Sequence, residues 1–225
     1  MRAGWGVLAA LLLWAFASVA QSQAGAVVLV DYSNPGLIPS HWTLTIHADG
    51  SGHFHSDRSN ASATTRQTSG SAQIVAPDQD RDVHLSTGFT GRVFQAARSG
   101  KWSGKECESH RKVAFQGWKK LSYRGPDGEG SCEFNYSADK EIQALGDSLV
   151  GAANTILEGA RLETLLQHDR LGLDRELEYA LDAMGDGRLQ QFCTIRGILE
   201  RLAADTGVME RVRKRARLLL DKSEE

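Results

Sequence analysis

The sequence predicts an α+β protein, in which an antiparallel sheet of hairpins with a crossing helix is followed by a C-terminal set of helices. Between Ala26 and Tyr136, short segments alternate apolar with polar residues and are separated by turn residues. From Ser137 onward, apolar residues recur every three or four positions, which is the period of a helix. We therefore expect a β-rich domain at 21–136 and a helical region at 137–225, packed on the sheet or following it.

The clearest hairpin begins at Trp42, from which apolar residues alternate with threonines as far as His47. The residues at 49–52, Asp-Gly-Ser-Gly, form a strong turn signal, and a return strand follows around Phe54. Further strand patterns lie at Val27–Tyr32, Val83 and Leu85, Val113 and Phe115, Leu121 and Tyr123, and Cys132, Phe134 and Tyr136.

The register of this hairpin follows from burial. A loop with an odd number of residues pairs Ile46 with Phe54 on the buried face and leaves His47, His53 and His55 together on the other. An even loop would bring the histidines onto the apolar face. We therefore predict the odd loop, with His47 directly opposite His53.

The helices are predicted from the apolar period and from capping residues. Residues 89–97 predict a short helix that crosses the sheet. Ser137 is the expected N-cap of a long helix with an apolar face at 142–162. Shorter helices are expected around 173–184, 189–202 and 208–219, with a glycine-rich stop at 185–187.

Residues 1–20 have the parts of a cleaved secretory signal peptide. Arg2 supplies the positive start, and an apolar stretch of about ten residues follows, too short for a bilayer core that needs about twenty. Small residues at Ser18 and Ala20 predict cleavage before Gln21. We expect a secreted or periplasmic protein with no stable membrane anchor after cleavage. An uncleaved anchor, held at the interface by tryptophans, is the alternative.

Cysteine usage fits an oxidising compartment. Cys107 and Cys132 flank predicted paired strands, so a disulfide between them is expected. Cys193 falls in a helical pattern and is interpreted as a buried thiol without a nucleophilic role.

Charge gives no indication of a polyanionic partner. The formal net charge is -2, so we expect no nucleic acid among the partners. The basic stretch at 211–217 has acidic neighbours at Asp205, Glu210 and Asp221, which nearly cancel its field.

His47, His53 and His55 are the candidate metal ligands. Three imidazoles on one face of a rigid hairpin match the ligand preference of zinc. The alternative is a solvated polar face that binds no metal, in which case the protein has no cofactor.

Gly146, Asp147, Ser148 and Leu149 spell the GDSL block of an esterase family. In that family the serine stands at a strand-to-helix turn, whereas here the surrounding pattern is helical. No downstream Gly-x-Asn-Asp or Asp-x-x-His supplies the remaining roles. We interpret the match as accidental.

Several stretches resemble exported bacterial proteins of unknown function. They are Trp42–Phe54, Lys112–Tyr136, Asp169–Asp174 and Arg211–Leu219, so the resemblance covers most of the mature chain. It implies export and no particular activity or catalytic residue.

The function that we expect is binding without catalysis, outside the cytoplasm. Trp102, Phe115 and Trp118 lie in the disulfide-linked region, where they would form a contact surface unless they belong to the core. The partner would be a protein or a small-molecule ligand. The alternative is a metal-dependent or serine hydrolase, with a cleft around the histidines or Ser148.

Overall fold

The computed structural model describes residues 25–57, 78–99, 102 and 106–222. The expected signal peptide, at 1–20, lies outside the described residues.

Six strands form one antiparallel sheet in the order β4-β3-β2-β1-β5-β6. One helix follows β4, and the remaining helices follow β6, so the predicted α+β class is confirmed. The strands are β1 (Val27–Ser33), β2 (His41–His47), β3 (Ser51–Asp57), β4 (Gln79–His84), β5 (Trp118–Gly125) and β6 (Gly128–Phe134).

The helices lie where their apolar period predicts them. Ser86 caps the first, and its Oγ accepts a hydrogen bond from the amide of Phe89. The helices are α1 (Thr87–Arg98), α2 (Lys140–His168), α3 (Leu173–Gly185), α4 (Arg196–Ala204) and α5 (Glu210–Lys222), with a 3-10 turn at Phe192–Ile195 before α4.

The N-cap of α2 corrects one prediction. Asp139, not Ser137, is the N-cap, because its carboxylate accepts hydrogen bonds from the amides of Glu141 and Ile142. Ser137 stands further upstream, where its Oγ accepts from the amide of Asp139 and its own amide donates to Gln143.

The two faces of the sheet have opposite character. In β2, Trp42, Leu44 and Ile46 are buried, whereas the residues between them point outward. The buried face shares one hydrophobic core with α1 and the first half of α2. No described helix packs on the opposite side, which we call the open face.

The hairpin register confirms the predicted faces and corrects the predicted partners. Leu44 lies opposite Phe54, and Ile46 lies opposite Gly52, so the pairing is shifted by two residues from the prediction. The odd loop keeps His53 on the open face, but His53 lies opposite Thr45 and not opposite His47. A shift of two residues preserves the faces because side chains alternate with period two.

Helix α2 belongs to two cores. Residues up to Ile156 pack against the sheet, and from Leu162 onward the helix packs with α3, α4 and α5. Close approach to β6 requires a glycine, because a Cβ on Gly146 would lie 2.8 Å from the Phe134 ring. The division between the hydrophobic clusters therefore falls inside one helix, which joins the sheet to the helical region.

The expected disulfide is present. Cys107 and Cys132 are bonded, with Cα atoms 5.7 Å apart and a sequence separation of 25. Closing a loop of this length stabilises the folded state by about 3 kcal/mol in the chain-entropy account. Such a bond is consistent with an oxidising compartment.

Across the described ranges, none of the helices combines the length and apolarity needed to cross a membrane.

Candidate functional site

The segment at 106–117 is irregular, although Val113 and Phe115 predicted a strand there. Its first part is fixed by the disulfide and by Glu108, whose Oε2 accepts hydrogen bonds from the amides of Asn135 (2.6 Å) and Tyr136 (3.3 Å). Desolvation opposes the ionisation of Glu108, but the amides outweigh it and lower the pKa of the carboxyl. The amide of Ser109 also donates to the carbonyl of Tyr136 at 2.9 Å, so one backbone hydrogen bond and the Glu108 side chain attach the segment just beyond the end of β6.

The last part of the segment is fixed against β1. The Tyr32 hydroxyl donates to the carbonyl of Gln116 at 2.8 Å, and the amide of Gln116 donates to Asn135 Oδ1 at 2.6 Å. Gly117 has φ +103°, and a Cβ there would lie 2.4 Å from the Tyr32 ring. Only glycine fits this close approach without strain.

Phe115 near the end of the segment and Trp118 at the start of β5 present an aromatic pair to solvent. Phe115 is 50% exposed and Trp118 is 43% exposed. Their ring centroids lie 6.4 Å apart at an interplanar angle of 66°, an edge-to-face contact. Val113 on the same segment is 39% exposed. We call Val113, Phe115 and Trp118 the aromatic patch.

The structure separates the three aromatics that were predicted to form a contact surface. Trp102 is only 1% exposed and belongs to the sheet core. Phe115 and Trp118 remain at the surface. Trp102 therefore follows the core alternative, whereas a contact surface formed by Phe115 and Trp118 stays a prediction.

Charges of both signs surround the aromatic patch. Arg111 and Lys112 are exposed on the segment itself. Lys120 follows Trp118 on the open face and lies opposite Asp31 in β1 and Glu133 in β6. An apolar centre with a mixed polar rim is the composition of protein interfaces and does not favour a polyanion.

A second constellation occupies the far half of the open face. Five of the seven histidines lie there, on the outward side of β2, β3 and β4. They are His41, His47, His53, His55 and His84.

His53 stands between two carboxylates. Its Nε2 lies 2.9 Å from Asp80 Oδ1, and its Nδ1 lies 2.9 Å from Asp82 Oδ1. The hydrogen bond with Asp82 is the largest cause that raises the pKa of His53. His55 likewise faces Asp80 (3.4 Å) and Asp57 (3.1 Å).

The three candidate zinc ligands share a face but do not converge. His53 and His55 point to aspartates, and His47, the last residue of β2, lies opposite Val27 in β1. Within the residues that the structure describes, no three histidine, cysteine or acidic side chains are placed to hold a metal ion. Zinc binding by His47, His53 and His55 stays a prediction, which a titration monitored by thermal unfolding tests.

Ser148 lies on a helix, as the pattern around the GDSL block predicted. It lines a groove of about 410 Å³ between α1 and α2, together with Arg92 and Glu141. No histidine is among the described residues that line this groove. Its neighbours have packing roles, since Gly146 allows α2 to approach β6 and Leu149 is fully buried.

Cys193 is half-buried, so its predicted burial is confirmed only in part. Its thiol donates to the carbonyl of His84 at 3.6 Å. Burial raises the pKa of Cys193, which disfavours the reactive thiolate.

The arginines of α5 face carboxylates. Arg211 Nε lies 2.8 Å from Asp174, Arg215 contacts Asp174 and Glu178, and Arg213 contacts Glu210. The pairs with Asp174 and Glu178 join α5 to α3, and the pair of Arg213 with Glu210 lies within α5. All of them offset the local positive charge.

None of the known family models matches the chain, and comparison with curated proteins finds no match either.

Sequence reasoning missed one buried polar cluster. Glu158 and Glu176 are 7% and 8% exposed, and they meet between α2 and α3 beside Arg161. The apolar period of α2 did not indicate this cluster. This part of the helix is enclosed on several sides, so it also buries residues outside its apolar face.

Proposed function

We propose that this chain is an exported, non-enzymatic binding protein, and that its aromatic patch inserts into an apolar pocket of a protein partner. The observation that carries the proposal is the pair Phe115 and Trp118, which are exposed and in mutual contact where the fixed segment enters β5. Single exposed apolar residues are common on protein surfaces, whereas aromatic anchors in a polar rim are typical of interaction hot spots.

Preorganisation of the segment supports this role. An irregular loop ordinarily loses conformational entropy when a partner immobilises it, and that loss weakens binding. Here the disulfide, Glu108, Gln116 and Gly117 already hold the loop in place. The energy of aromatic burial is then available for affinity.

Export is supported by the leader-like residues 1–20 and by the disulfide. We propose a secreted or periplasmic location for the mature protein. The resemblance to exported bacterial proteins of unknown function points the same way.

Site-specific photo-cross-linking in the native cell envelope tests the proposal. A photoreactive residue at Val113 reports on the aromatic patch, and one at Leu171, which is 78% exposed on the helical side, is the matched control. We expect a discrete protein adduct from Val113 that is absent from Leu171 and is lost when Trp118→Ala is added.

Three outcomes would overturn the proposal: the same adducts from Val113 and Leu171, an adduct that persists in Trp118→Ala, or no adduct at all. If adducts form only with a second copy of this chain, the partner is that second copy and the patch is a homodimer interface. Circular dichroism of Trp118→Ala checks that the fold is retained.

A further inference from the structure

The edge strand β4 has an unusual sequence for its place in the sheet. Its open-face positions are Asp80, Asp82 and His84. Aspartate is depleted in strands because its short polar side chain packs poorly on a pleated surface. Some other interaction must therefore favour pairing of these positions with β3.

The register supplies that interaction. Asp82 lies directly opposite His53, and Asp80 lies directly opposite His55. Cross-strand pairs of opposite charge stabilise a sheet, and carboxylates next to neutral rings stabilise it less. The strength of this strand pairing therefore depends on the charge of the imidazoles.

His53 has the geometry of a doubly protonated ring. Both of its nitrogens lie 2.9 Å from carboxylate oxygens, and a neutral imidazole has only one N–H to donate. One lone pair of a neutral His53 would face a carboxylate without a proton between them. Loss of the second proton thus removes one of the two contacts that join this ring to β4.

We infer that His53 is a proton-operated clamp that holds β4 on the sheet through Asp80 and Asp82 and loosens as the pH rises from 6 to 8. The described titratable and charged groups around it lie on four strands: Asp31 on β1, His41 and His47 on β2, His55 and Asp57 on β3, and Asp80, Asp82 and His84 on β4. Directly opposite His53 on β2 stands the neutral Thr45.

The sign of the effect follows from linkage. The pKa of His53 is raised in the folded state, so its contribution is present below the ordinary histidine value and is lost as the pH rises through the folded-state value. The clamp is independent of the aromatic patch, which lies toward β5.

Hydrogen exchange of the amides in Gln79–His84 tests the clamp in the full mature chain. After correction for the intrinsic dependence of exchange on pH, we expect protection to fall about twofold to fivefold between pH 6 and 8. His53→Gln should have low protection at both pH values. His47→Gln, on the same face but in no ion pair within the described residues, should behave as the wild type.

An NMR titration provides a second readout if His53→Gln does not fold. The ring of His53 should titrate above the ordinary histidine value of about 6.5, and Asp82→Asn should lower its midpoint. Protection of β4 that does not change with pH in the wild type, or the same pH dependence in His53→Gln, would overturn the inference. So would a His53 midpoint that Asp82→Asn leaves unchanged.

Discussion

The buried carboxyl of Glu158 makes the stability of the helical region depend on pH. Glu158 lies between α2 and α3, where burial, followed by the charge of Glu176, raises its pKa from the ordinary 4.5 to about 8. Arg161 opposes the rise. Its Nε lies 2.8 Å from Glu176 Oε1 as an ion pair, although the N–H is not aligned for a hydrogen bond. Glu158 is thus protonated at neutral pH in the folded protein.

The sign and the size of the effect follow from this difference. Because the folded state binds the proton more tightly than the unfolded state, Glu158 favours folding fully below pH 4.5 and progressively less as the pH rises toward 8. At about 1.4 kcal/mol for each tenfold change in proton affinity, the loss between pH 5 and 8 is about 3 kcal/mol.

Glu158→Gln removes the titrating proton and keeps the shape of the side chain. We expect the free energy of unfolding of the variant, relative to the wild type, to increase by about 3 kcal/mol between pH 5 and 8. Urea denaturation at several pH values measures it, and subtraction of the wild type removes the contribution of groups that both proteins share.

Glu200→Gln is the matched control, because Glu200 is exposed and paired only loosely with Arg196 at 3.6 Å. Its difference from the wild type should vary by less than about 0.5 kcal/mol over the same range. A flat difference for Glu158→Gln would refute the reasoning, since it would mean that Glu158 is ionised in the folded protein at neutral pH.

Two further predictions concern packing and the disulfide. Gly146→Ala should destabilise the protein by about 1–3 kcal/mol, because the new methyl group meets the Phe134 ring. Gly197→Ala is the control: no atom lies within 4 Å of the added Cβ, so the change should be neutral or stabilising by up to about 1 kcal/mol. Urea denaturation compares the two variants, and equal effects would contradict the close approach of α2 to β6. Replacing Cys107 and Cys132 by alanine should lower the free energy of unfolding by about 3 kcal/mol. Unchanged stability of the double variant would show that the loop is constrained without the bond.

The strands and helices that the sequence predicts well are those that local hydrophobic periodicity determines. Alternation located the strands and their faces, and the period of 3.6 located the five helices of the described residues, because burial of one face decides both patterns. The predicted pairing of β2 with β3 differs by two residues from the observed pairing. Both registers place the same side chains on the buried face, so side-chain burial cannot distinguish them.

The candidate sites depended on contacts that are distant in sequence. Val113 and Phe115 alternate as in a strand, but Glu108 and Asn135 hold that segment in an irregular path. The carboxylate partners of His53 could not be predicted, because they depend on the register of β3 against β4, which no local sequence pattern specifies. Tertiary contacts, not propensity, therefore determine where the chemistry of this protein lies.

The central claim is that the aromatic patch binds a protein partner. Isothermal titration calorimetry with the purified partner that cross-linking identifies tests it most directly. We predict that Phe115→Ala and Trp118→Ala each weaken the affinity by roughly tenfold or more, whereas Leu171→Ala leaves it unchanged. Equal affinity for the wild type and both aromatic variants would contradict the account, because the partner would then bind elsewhere on the molecule.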